Sequence, residues 1–113
     1  MDPLATNPQS TEASERAHFR RAITQLLDSL FRFERAWPFT AAVLKRDAPT
    51  YDKAIQRPLC LVDIIRGVKS GELLTSTQVT RDVALMFANA VQFNGVNDDI
   101  AQCARDSWIE FER

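Results

Sequence analysis

Side chains able to do chemistry are few in this sequence, and their spacing argues against catalysis. The sole histidine, His18, has no second histidine to complete a metal site or an acid/base relay; it reads as a surface residue. Cys60 and Cys103 are the only cysteines and lack metal-ligand spacing. There is no phosphate-cradling glycine-rich loop and no nucleophile elbow. Asp98-Asp99 places two carboxylates together, but adjacent residues on a helix do not face one another, and acidic residues suit a helix N-terminus. Two neutral polar groups remain of interest. Asn94 precedes Gly95, and Tyr51, the only tyrosine, stands in an apolar stretch marked by prolines. Both can donate and accept hydrogen bonds, which suits binding. From spacing alone, Asn94 reads as a turn residue chosen for Asn-Gly geometry.

The elements that position these groups follow from composition and periodicity. A chain of 113 residues, 45% hydrophobic and 26% charged, fits one globular domain with one shared core. Fourteen basic and fifteen acidic residues give a net charge of −1, so nucleic acid held by bulk charge is not expected. Arginines gather in the first helical stretch (Arg16, Arg20, Arg21, Arg32, Arg35) and carboxylates in the last, which reads as solvated helix faces. No signal-like leader precedes the cysteines, and no segment approaches the run of about 18 apolar residues that a membrane span needs. A soluble, intracellular chain with reduced thiols and no membrane partner is expected.

Residues 1–13 are polar and aperiodic and are expected to form a flexible tail, with the domain over residues 14–113. Ser14 is the expected N-cap of a first helix. Phe19, Ile23, Leu26, Leu27, Leu30 and Phe33 form its inner stripe, and it is expected to end near Ala36, ahead of Pro38. A long connection to about Pro58 carries three prolines together with Trp37, Phe39, Val43, Leu44, Tyr51 and Ile55. A loop this apolar must pack on the core or line a pocket. A short helix from Leu59 ends at Ser70-Gly71. Thr75 with Gln78 fits a capping box opening a helix to about Phe93, and a last helix runs from about Asp98 to Phe111. Four helices with one long connection result.

Trp37-Pro38-Phe39 followed by Val43, and then Ala48-Pro49-Thr50-Tyr51 with Ile55 and Pro58-Leu59, resemble in order and spacing the aromatic shelf and the proline-tyrosine turn of the bromodomain family. Asp82, Met86-Phe87, Asn89-Ala90 and Phe93-Asn94 resemble its third-helix signature, and Asp98-Asp99-Ile100 the start of its last helix. Each motif alone is weak; together they cover the chain from about residue 15 onward. From Tyr51 on, the resemblance is greatest to bromodomains of histone acetyltransferase complex subunits.

The resemblance implies an all-α, left-handed four-helix bundle with a long loop between helices one and two, and an acetyl-lysine reader without enzymatic activity or cofactor. It implies that Asn94 donates to the acetyl carbonyl and that Tyr51 reaches the same oxygen through a water. Phe39, Val43, Ile100 and Phe93 would wall the pocket, with Trp37, Pro38 and Ala48 at its rim. Expected partners are acetylated histone tails or other acetylated nuclear proteins, with subunits of a histone acetyltransferase complex alongside. The protein is expected in the nucleus as a monomer. Met86, Phe87 and Trp108 are assigned to the core, and Asp82 to a backbone or arginine contact. The sequence departs from the family pattern in a loop about two residues short between Val43 and Pro49, in Ala42 for a common proline, and in Cys60 for a capping aspartate. That last change predicts a loss of roughly 1 kcal/mol. The alternative reading is a structural interaction module of the same fold that does not read acetyl groups.

Overall fold

The computed structural model describes residues 8–113, all helix, turn or loop, with no strand among the described residues. Four long helices carry the fold: α1 (Pro8–Arg32), α3 (Leu61–Ser70), α4 (Ser76–Asn94) and α5 (Asp99–Glu112). A 3₁₀ segment (Glu34–Phe39) and a single turn, α2 (Tyr51–Ala54), lie in the connection between α1 and α3. Helix α4 packs on α5 and α3, while α1 packs on α3 and α5. Leu27, Leu30, Leu61, Ile64, Val79, Val83 and Met86 are buried where these faces meet. Burial of a leucine or isoleucine of this kind contributes about 1.5–3 kcal/mol.

Helix α1 starts earlier and stops sooner than its sequence suggests. It begins at Pro8 rather than behind a cap at Ser14, so residues 8–13, expected in the tail, are helical. Proline suits a first helical position, where the missing N–H has no intrahelical partner to lose. The first seven residues of the expected tail lie outside the described ones. At the other end the helix stops at Arg32, because Phe33 takes up extended backbone with ψ 126°. The chain then winds as 3₁₀ helix, which turns Ala36 and Phe39 into the core. Arg35 Nε, on this segment, donates to Asp106 Oδ2 of α5 at 3.0 Å.

The remaining boundaries follow their caps. Helix α3 opens at Leu61 rather than Leu59. Cys60 does not leave its start uncapped: Asp63 Oδ2 accepts from the Cys60 N–H at 3.2 Å and from its thiol at 3.3 Å. The predicted loss therefore falls on only part of the cap. Gly71 ends α3 in the left-handed conformation at φ 87°. Thr75 and Gln78 form the expected capping box: Gln78 N–H donates to Thr75 Oγ1 at 3.1 Å, and Gln78 Oε1 accepts from Thr75 N–H at 3.2 Å. Both cysteines are buried and free.

Polar side chains of α4 hold the end of the long connection. Asp82, itself buried, accepts from the Arg57 guanidinium at 3.1 and 3.4 Å, so the arginine alternative is the one realised. Asn89 Nδ2, two turns further on, donates to the Arg57 carbonyl at 2.9 Å. Gln92 Nε2 donates to the Ala54 carbonyl at 3.3 Å. Between these anchor points Ile55 is only 1% exposed. One helix therefore pins residues 54–57 through both backbone and side chain, and with them the turn that carries Tyr51.

Candidate functional site

A cleft of about 350 Å³ opens where the connection passes over the C-terminal end of α4 and the start of α5. Its lip is the stretch Trp37, Pro38 and Thr40–Leu44, closed by Asp47 and Ala48; its inner wall is Tyr51, Phe93, Asn94 and Ile100. Eight of the nine residues expected at a binding site therefore come together here: Trp37, Pro38, Val43, Ala48, Tyr51, Phe93, Asn94 and Ile100. Phe39 does not. The 3₁₀ turn points it into the core, where it is 5% exposed and meets Phe87 edge-on with ring centroids 5.1 Å apart. It supports the shelf from beneath instead of walling the cleft.

Each inner-wall residue is placed by a local bond or packing contact. Tyr51 opens α2, its N–H donating to the Ala48 carbonyl at 3.1 Å, and its ring lies edge-on to Phe93 at 4.9 Å. The tyrosine is 8% exposed. Its hydroxyl has no protein partner among the described residues, and burial, helped by the nearby Asp52 carboxylate, pushes its pKa up from the ordinary value. The phenol is therefore neutral at physiological pH and able to donate. Ile100 is fixed at the N-terminus of α5, where its N–H donates to the Asp98 side chain at 2.9 Å.

Asn94 is the last residue of α4, and its amide is not wholly free. Nδ2 donates to the Ala90 carbonyl at 2.9 Å, one turn back. This bond uses one of the two amide protons and fixes the plane of the side chain, leaving the second for a ligand. The chain leaves α4 through Gly95 at φ 90°, ψ 150°, a backbone region essentially reserved for glycine. The two residues of the Asn-Gly pair are placed differently. The glycine makes the turn, and the asparagine stands half-buried at the cleft wall.

The lip was less legible. Thr40, Ala41, Leu44 and Asp47 also line the cleft, and sequence reasoning did not single them out as site residues. Thr40 is tied down twice, its Oγ1 donating to the Trp37 carbonyl at 3.2 Å and its own carbonyl accepting from Val62 N–H at 3.4 Å. Asp47 and Ala48 donate their N–H groups to the Leu44 carbonyl, each at 3.0 Å. Trp37 stands 66% exposed as the outer shelf.

A second concavity, of about 420 Å³, runs between α4 and α5 along Phe87, Val91, Trp108 and Ile109. Trp108, expected in the core, is only half-buried and forms part of its wall. Arg105 is its one charged lining residue, and apart from the Trp108 indole its other lining side chains are hydrocarbon. A specific site needs a few placed polar groups, and the Asn94 cleft has them. No group of three or more residues suited to holding a metal ion occurs among the described residues.

Comparison with known proteins agrees with the geometry. The family described as "Bromodomain" matches residues 23–106. Bromodomain-containing factor 1 of Saccharomyces cerevisiae is 34% identical over 98 residues, covering 85% of this chain and 14% of that protein. Histone acetyltransferase GCN5 of Oryza sativa subsp. japonica is 30% identical over 91 residues, covering 76% of this chain and 18% of its own length. The solved bromodomain of human BAZ1A superposes with a TM-score of 0.77 at 30% identity, covering 80% of this chain and 85% of that one. The chain thus spans less than a fifth of each of these two curated relatives.

Proposed function

The chain belongs to the bromodomain family, a left-handed four-helix bundle that serves as an acetyl-lysine-reading module in chromatin proteins, and on that premise we propose that its Asn94 cleft binds acetylated lysine of histone tails or other acetylated nuclear proteins. The observation that carries this reading is the Asn94 amide. One of its protons is spent on Ala90 and the other stands at the wall of a largely apolar cleft. Acetylation turns an ammonium into a neutral amide with one carbonyl and one methyl group. Asn94 donates to that carbonyl, and the Tyr51 hydroxyl reaches it through a water, a bridge nearly as good enthalpically as direct contact. Val43, Ile100 and Phe93 pack on the methyl and the methylenes, with Trp37, Pro38 and Ala48 at the rim.

Selectivity comes mainly from exclusion. A charged lysine reaching the inner wall would shed its hydration among Tyr51, Phe93, Asn94 and Ile100, none of which is a carboxylate. Asp47 stands on the exposed lip and leaves that penalty in place. So small a site binds one mark weakly, at about −5 to −7 kcal/mol, so cellular affinity comes from linkage to other modules or complex subunits. The chain acts in the nucleus as a monomer, within assemblies such as histone acetyltransferase complexes.

The test is calorimetric titration with acetylated and unmodified histone peptides beside Asn94→Ala. Leaving the acetyl carbonyl unpaired costs about 1–3 kcal/mol, so the variant binds about 5- to 150-fold more weakly. Equal binding by variant and parent would refute the mechanism. No acetyl-dependent binding at all, with stable association to complex subunits, would favour a structural interaction module.

A further inference from the structure

The cleft has one charged lining residue, Asp47, and its position on the lip bears on what must lie beside the acetylated lysine. Its backbone N–H is committed to the Leu44 carbonyl at 3.0 Å, which fixes the turn. Its carboxylate makes no hydrogen bond or ion pair among the described residues, so nothing in the fold requires an acid here. Lys45 and Arg46 precede it in the chain, but both are exposed and neither lines the cleft. Lys53, on α2, is likewise exposed and outside the lining. On the opposite side, α5 opens with Asp98 and Asp99 directly before the lining residue Ile100. Asp98 is engaged with the Ile100 N–H, while Asp99 is exposed and unpaired among the described residues.

We propose that Asp47 makes this cleft prefer an acetyl-lysine flanked by lysine or arginine, an inference that rests on the acetyl-lysine reading above. With the acetyl group at Asn94, the neighbouring residues of the target pass over the lip. A long cationic side chain there reaches the Asp47 carboxylate, while Asp98 and Asp99, which do not line the cleft, add little. Lys45, Arg46 and Lys53 oppose this attraction from further out. Being exposed and off the lining, they are more strongly screened at physiological salt, where the Debye length is about 8 Å. An exposed pair of this kind is worth a preference of about two- to fivefold.

The experiment uses the full chain and two fluorescent peptides identical except beside a single acetyl-lysine, one with lysine on each side and one with glutamine. Anisotropy titration of the parent is expected to favour the lysine-flanked peptide by about two- to fivefold at low salt, with the ratio falling toward one as salt rises. Asp47→Asn, close in size and removing no internal bond, brings the ratio to about one. Asp47→Lys shifts preference to a third peptide flanked by glutamate. A parent ratio of one, or a ratio that survives Asp47→Asn, overturns the inference while acetyl-dependent binding still stands. If neither acetylated peptide binds the parent, the reading of the cleft fails and this inference fails with it.

Discussion

The clamp from α4 onto residues 54–57 gives a quantitative test of how the fold holds its site. Asn89 is 4% exposed, and its amide donates to the Arg57 carbonyl at 2.9 Å. Replacing it with alanine removes that bond and leaves the carbonyl without its protein partner. An unsatisfied buried acceptor costs about 1–3 kcal/mol. Arg57 itself is exposed, so water can take over part of the lost interaction, which places the expected cost near 1–2 kcal/mol. For a domain of this size that corresponds to a fall in Tm of roughly 4–8 °C. Gln92→Ala is the internal comparison. Its bond to the Ala54 carbonyl is longer, 3.3 Å, and lies at an exposed position, so its loss should stay within about 0.5 kcal/mol. Urea unfolding followed by tryptophan fluorescence measures both, and peptide titration then asks whether the looser Tyr51 turn also weakens binding. If Asn89→Ala unfolds at the parent's midpoint, or Gln92→Ala costs as much, the connection is not held as argued.

Two further outcomes follow from backbone and charge. Gly95→Ala must bring a Cβ into φ 90°, ψ 150°; it should cost about 1–3 kcal/mol in a urea melt and weaken acetyl-peptide binding by displacing Asn94. At Asp106, the hydrogen bond from Gln102, helped by the Arg35 contact, holds the carboxyl below its ordinary range although desolvation acts the other way. A depressed folded pKa contributes stability that is present above the unfolded value of about 3.9 and lost as pH falls through the lower folded value. The parent should therefore exceed Asp106→Asn in urea midpoint by a constant margin above about pH 5 and lose that margin in acid. A margin that stays unchanged down to the lowest pH would show that the pairing does not stabilise the fold.

The helices were legible wherever one face alone meets the core. Ile23, Leu27 and Leu30 keep helical spacing, and the Thr75–Gln78 box announces α4 without any tertiary information. What escaped depends on contacts between distant positions. The end of α1 was overrun because Phe33 continues the apolar stripe, and only the packing of Ala36 and Phe39 explains the break there. Phe39 was misplaced for the same reason, since adjacency to Trp37-Pro38 does not say which way a 3₁₀ turn will point it. The part of Arg57 was invisible, because its partners Asp82 and Asn89 lie 25 and 32 positions away. Asn94, Tyr51 and Ile100 were legible through resemblance, whereas the Ala90 carbonyl that orients Asn94 needed coordinates.

The contrast between the two sides of the cleft has a consequence for how such a module diversifies. Residues 41–47 are all exposed, while Tyr51 and Ile55 just beyond them are buried and the turn they occupy is pinned to α4. Substitutions at exposed positions away from special features usually change stability by no more than about 0.5 kcal/mol. The lip can therefore drift through substitution or charge reversal with little cost to the bundle. Two kinds of inheritance meet in one cleft: a wall that selection must preserve for the chain to fold and grip, and an edge free to be rewritten as targets change.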